Sequence, residues 1–134
     1  MRVAVASKGG SLRSEVDDRF GRCPFFVLVD SESLEFEAVR NPGVDEKDAA
    51  GIAACGMLIN RGVEAVVVRN IGHNALVTLR GAGIDVYRGR PGSVASAVAQ
   101  LNRGELPSAH RPTVGFQEGL DKERSGGGGI EGET

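Results

Sequence analysis

Two residues able to ligate a metal sit in separate loops. Cys23 lies in Asp18-Arg19-Phe20-Gly21-Arg22-Cys23-Pro24. Arg19 and Arg22 beside a thiol favour its thiolate, which is the form that binds metal. The plainer reading is a small hydrophobe at the top of a strand. His73 lies in Arg69-Asn70-Ile71-Gly72-His73-Asn74, between an apolar run and a helix-like run. A neutral imidazole there can be a metal ligand, and the N–H groups of Asn74 and Ala75 would assist an anion. The plainer reading is an exposed or capping histidine. A structural zinc usually takes four ligands, so two cannot enclose one, but they could hold a cluster at an open, exchangeable site. Arg69, Arg88 and Arg90 would ring the same edge with positive charge, which suits an anionic metal cluster or a phosphate-like group. Cys55, mid-helix among alanines, reads as a packed inert thiol, and His110 reads as part of a tail.

The elements that must position these residues are visible in the hydrophobic pattern. Residues 2–6 form a nearly continuous apolar run, as in a central strand covered on both faces. Residues 7–24 are a long loop rich in charge and glycine, and loops of that length in a small domain are usually functional or mobile. Residues 25–30 form a second strand. Residues 34–40 alternate apolar residues with glutamate and predict a half-exposed third strand at an edge. Asp45 reads as the N-cap of a helix running to about Asn60, with Glu46 and Asp48 in its first turn. Residues 64–68 are a fourth strand, 74–80 a second helix, 84–87 a fifth strand and 94–102 a third helix with Ser93 as its cap. From Pro107 the pattern fades, and residues 107–134, with Ser125-Gly126-Gly127-Gly128-Gly129, read as a flexible Gly-rich tail. Residues 1–106 are the domain.

A meander followed by alternating helix and strand predicts an α/β fold: a five-stranded mixed sheet, order 3-2-1-4-5, with the second strand antiparallel. This is the arrangement of ribonuclease-H-like three-layer folds. It brings residues 7–24, 41–45, 69–74 and 88–93 to one edge of the sheet. A topological switch point lies there, where open sheets tend to bind ligands. Cys23 and His73 can therefore approach each other.

Composition narrows the function. The chain has 134 residues, about 40% apolar, with a formal net charge of −2 and two cysteines. One domain with a real core is expected. The charge argues against nucleic acid as the main partner. No apolar run approaches the ~20 residues needed to span a membrane. The N-terminus shows no signal-peptide pattern, so the expected compartment is the cytoplasm. Two cysteines make no disulfide framework. The phosphate-loop and dinucleotide glycine motifs are missing. Carboxylates that would hold catalytic metals for a nuclease are missing from the central strands.

The stretch Asp18 to Phe26, then Asn41-Pro42-Gly43, then Ile71-Gly72-His73-Asn74-Ala75 with Ala82-Gly83-Ile84-Asp85-Val86-Tyr87, resembles the dinitrogenase iron–molybdenum cofactor biosynthesis family of NifX-like proteins. The resemblance covers residues 1–106. It implies a ribonuclease-H-like fold and a non-catalytic protein that binds or carries the iron–molybdenum cofactor or an iron–sulfur precursor cluster. It also implies other cofactor-assembly proteins as partners. By motif position it points to Cys23 and His73 as the residues contacting metal. Arg22, Arg69, Asn70, Gly72 and Asn74 complete the expected cofactor-binding set. The chain departs from the pattern at His73, where short members carry proline.

Two rival functions are compatible with the residues. One is a protein-interaction or regulatory module of metal-cluster metabolism with no cluster of its own. The other is an enzyme acting on a phosphorylated small molecule, which lacks a paired acid and base with a matched nucleophile.

Overall fold

The computed structural model describes residues 1–109. The elements in order are β1 (Arg2–Ser7), β2 (Phe25–Asp30), β3 (Phe36–Arg40), a 3-10 turn (Pro42–Asp45), α1 (Ala50–Asn60), β4 (Ala65–Val68), α2 (His73–Gly81), β5 (Asp85–Arg88) and α3 (Val94–Asn102). The sheet order is β3-β2-β1-β4-β5, with β2 antiparallel to its neighbours and β1, β4 and β5 parallel. Order and orientation match the sequence expectation.

Side-chain alternation along β1 builds two cores. Ala4 and Ala6 face one layer with Phe26, Leu28, Val66 and Val68, against Ala54, Cys55 and Leu58 of α1 and Leu76 and Leu79 of α2. Val3 and Val5 face the other with Val27, Val29 and Val67, against Val94, Ala97 and Val98 of α3. A strand buried on both faces has no solvent face to make polar, hence its continuous apolar sequence.

Three local expectations change. The third strand begins at Phe36, two residues later than its pattern, because Leu34 belongs to the preceding turn. Asp30 Oδ1 accepts from the N–H groups of Glu32 and Ser33, and Leu34 is held at φ 65°. The first long helix does not start at Asp45. Asn41 caps a short 3-10 turn with Pro42 at its start, the chain then bends, and α1 begins at Ala50. Residues 107–109, at the start of the expected tail, pair with β5. Ser108 pairs antiparallel with Tyr87, the Arg88 N–H donates to Pro107 O at 2.8 Å, and the Ala109 N–H donates to Val86 O at 2.8 Å. This segment covers part of the outer edge of β5, which would otherwise present unpaired backbone groups. The rest of the expected tail, His110 included, lies outside the described residues.

Candidate ligand pocket at the sheet edge

The long loop after β1 divides over the C-terminal edge of the sheet. Its first half turns toward α3: the Val16 N–H donates to Gly92 O at 2.8 Å and Glu15 bridges to Ser93. Its second half turns toward α2. Arg19 bridges to Asn70, the Phe20 N–H donates to Asn70 O at 3.2 Å, and Asn70 Nδ2 donates to Asp18 O at 2.9 Å. The Arg69 guanidinium adds an ion pair with Asp18. The loops at 7–24 and 69–74 therefore meet as topology required, through backbone pairing that depends little on side-chain identity.

A pocket of about 520 Å³ opens on the α1/α2 side of that junction. Arg19, Phe20 and Gly21 form one wall, Asp48, Ala49, Gly51 and Ile52 a second, and Asn70 with residues 72–75 a third. Both helices beside it point their N-termini inward. First-turn N–H groups have no acceptor within their own helix. Neither Ala49, the N-cap of α1, nor Gly72, the N-cap of α2, supplies a side-chain cap. Two partial positive ends thus converge on one cavity, a preformed environment for an anion. Two walls approach closely through their backbones: a Cβ on Gly21 would stand 3.0 Å from Gly51 N, whereas one on Gly51 would meet Ala75 Cβ at an ordinary 3.4 Å.

Of the expected cofactor-binding residues, Asn70, Gly72, His73 and Asn74 line this pocket. His73 is half-buried at the first position of α2. The other three do not line it, and each for a visible reason. Arg69 is paired with Asp18. Arg22 lies on the outside of the loop, donating to the carbonyls of Gly43, Glu46 and Lys47. Cys23 is wholly buried in the core beneath the loop, beside Phe20 and Phe26.

The expectation of a Cys23 thiolate is therefore corrected. Burial pushes the thiol from 9.0 up to about 12, aided by the charge of Asp17, and hydrogen bonds from the Ser7 backbone and Asn41 do not offset this. Removing a thiol from water penalises its charged form more than two nearby arginines on the solvent side can favour it. The protonated thiol donates to Phe20 O at 3.4 Å. Cys55 also reaches about 12 through burial alone, and it donates to Ala75 O at 3.5 Å. Two of the three arginines of the expected ring are held in local pairs, Arg69 with Asp18 and Arg90 with Glu105. None of residues 88–93 lines the pocket.

Sequence reasoning missed two contributors. The N-terminus of α1 went unseen because the helix was expected to begin at Asp45. The glycine at Gly51, in an otherwise helix-favouring run, was the available sign of a close backbone approach. The second is Asn41, buried in the loop floor. Its Nδ2 lies 3.3, 3.1 and 2.8 Å from the carbonyls of Phe20, Gly21 and Cys23, and its Oδ1 accepts from the Gly43 N–H at 2.8 Å. One amide thus replaces the regular pairing that this irregular segment lacks.

This architecture is shared with known proteins. The dinitrogenase iron-molybdenum cofactor family profile matches residues 1–104, and the chain belongs to that family. It is similar to the apo orange protein from Desulfovibrio gigas, with a TM-score of 0.80 and 33% identity over 84% of this chain and 95% of that one. A candidate NifB protein from Thermotoga superposes with a TM-score of 0.70 at 37% identity, covering 80% and 91% of the two chains. An uncharacterized protein of Methanocaldococcus jannaschii is 29% identical over 96 residues, 69% of this chain and 81% of the relative. Among the described residues no helix is long and apolar enough to cross a membrane.

Proposed function

We propose that this protein binds and carries an iron–molybdenum cofactor, or an iron–sulfur precursor of it, as a non-catalytic accessory of cofactor assembly. The observation that carries this reading is the convergence of His73 and two helix N-termini without side-chain caps on one pocket. Metal–sulfide clusters are anions whose sulfides accept N–H hydrogen bonds. Among the described residues no group of three or more His, Cys, Asp or Glu side chains could hold a bare metal ion. The pocket therefore suits a cargo that brings its own sulfide ligands. His73 would supply one bond to metal, the backbone N–H groups would face the sulfides, and Phe20 and Ile52 would exclude water from one side. A single protein–metal bond leaves the cluster exchangeable, as a carrier requires. Family membership supports the identity of the cargo.

Anaerobic titration with tetrathiomolybdate, and with a synthetic iron–molybdenum–sulfur cluster, tests the reading. Saturable binding at one site per chain, with a perturbed charge-transfer spectrum, is expected. No spectral change with either anion, or undiminished affinity in His73→Ala, would sink it. Pull-down from an anaerobic native extract tests the association with other assembly proteins: a stoichiometric partner without bound metal would favour the interaction module instead.

A further inference from the structure

We propose that Arg22 is a positioning residue for this pocket, acting on the segment that leads into α1. The proposal rests on the cargo-binding reading only where affinity is concerned. The Arg22 guanidinium touches no carboxylate among its hydrogen-bond partners. Nη1 donates to Gly43 O at 3.3 Å and to Glu46 O at 2.5 Å, and Nη2 donates to Lys47 O at 3.0 Å. Glu46 is the C-cap of the 3-10 turn and Lys47 lies just beyond it, where backbone acceptors lose their regular partners, while Gly43 O also accepts from the Glu46 N–H. Residues 46–49 that follow have no regular structure, and α1 has no side-chain cap to fix its start. Yet this stretch ends in Asp48 and Ala49, which line the pocket.

Where the α1 N-terminus faces the cavity therefore depends on what restrains residues 43–48. Arg22 restrains them from the outside, and it is carried by the loop that supplies the opposite wall, Phe20 and Gly21. One side chain thus ties two walls together. A planar fork with several donors can gather three carbonyls at once, which a lysine ammonium on a flexible stem does not reproduce. Asn41 holds the same loop independently from beneath, so loss of Arg22 leaves the fold standing.

The test uses Arg22→Lys and Arg22→Gln in the full chain, with amide hydrogen exchange and NMR shifts as readouts and tetrathiomolybdate as the probe. Without probe, the hydrogen-bonded amides of Glu46 and Ala53, at the two ends of the restrained stretch, should exchange roughly tenfold faster in both variants, while that of Leu76 stays unchanged. With probe, affinity should fall about tenfold in both. The shift response should be lost at Ala50, Gly51 and Ile52 and kept at Asn74 and Ala75. Full affinity with wild-type exchange in Arg22→Lys would mean that charge alone matters, and would overturn the proposal. So would unchanged exchange at Glu46 and Ala53 in Arg22→Gln. If the wild-type protein binds no probe, the cargo reading fails, and the exchange arm alone decides the role of Arg22.

Discussion

Cys23 and His73 occupy the same edge of one sheet, in loops joined by backbone hydrogen bonds, and both carry side chains that metals favour. Their surroundings separate them. Below the loop, Cys23 is fully buried, and Asn41 and the Phe20 carbonyl take up the polarity of its thiol. At the turn, His73 is half-buried beside two helix N-termini and faces a cavity. The difference shows that ligand chemistry needs access as well as residue type. Arg22 and Asn41 differ in the same manner, since one secures the pocket from outside and the other from underneath.

Breaking the floor should have the largest effect. Asn41→Ala removes one acceptor and shared donors from a buried site, and unfolding in urea should show a loss of about 2–4 kcal/mol.

Alkali should reveal the floor chemistry next. Both thiols are raised from 9.0 to about 12 in the folded state. Above pH 9 the unfolded chain loses thiol protons that the folded chain keeps, so unfolding is favoured. Stability contributed by the protonated thiols is full below pH 9 and declines toward pH 12, at roughly 1.4 kcal/mol per pH unit for each thiol. Urea unfolding at pH 8 and pH 10 should therefore differ by a few kcal/mol, and a Cys23→Ala/Cys55→Ala double variant should flatten the difference. A steeper loss in that double variant would show that the thiols are not its source.

The turn should respond oppositely. His73→Ala is expected to weaken tetrathiomolybdate binding about tenfold, near 1.4 kcal/mol, while thermal unfolding moves little. Cys23→Ala, measured on its folded fraction, should bind like the wild type. A tenfold loss there would restore the thiol as a ligand and erase the contrast between floor and turn. The smallest effect belongs to the junction. Asp18→Asn removes the exposed ion pair with Arg69, and urea unfolding should register only about 0.5 kcal/mol, because the Phe20–Asn70 backbone bond remains.

The strand order was legible because it follows from short-range signals: continuous apolar runs for β1 and β4, Gly62 and Gly83 at helix ends, and the handedness of parallel crossovers. Half of the pocket was legible for the same reason, since Asn70, Gly72, His73 and Asn74 form one contiguous strand–turn–helix. The α1 wall was not. Asp45 has the chemistry of an N-cap, yet Gly43 is pressed between Gly21 and Ala50, where an added Cβ would come within 2.5 Å of both carbonyl oxygens. That packing ends the short turn and displaces the helix start to Ala50. Propensity at Asp45 is worth a fraction of what tertiary contacts impose there.

By itself, then, the sequence determined the sheet, its order, the edge where loops collect and the turn bearing His73, because periodicity and chain handedness act locally and pairwise. Only the tertiary structure decided that Cys23 turns inward and that Arg22 grips carbonyls. It also decided that a second helix N-terminus completes the pocket. Burial and loop-to-loop contact join residues about 20 to 50 positions apart in sequence, and no local pattern encodes which face of a loop will be covered.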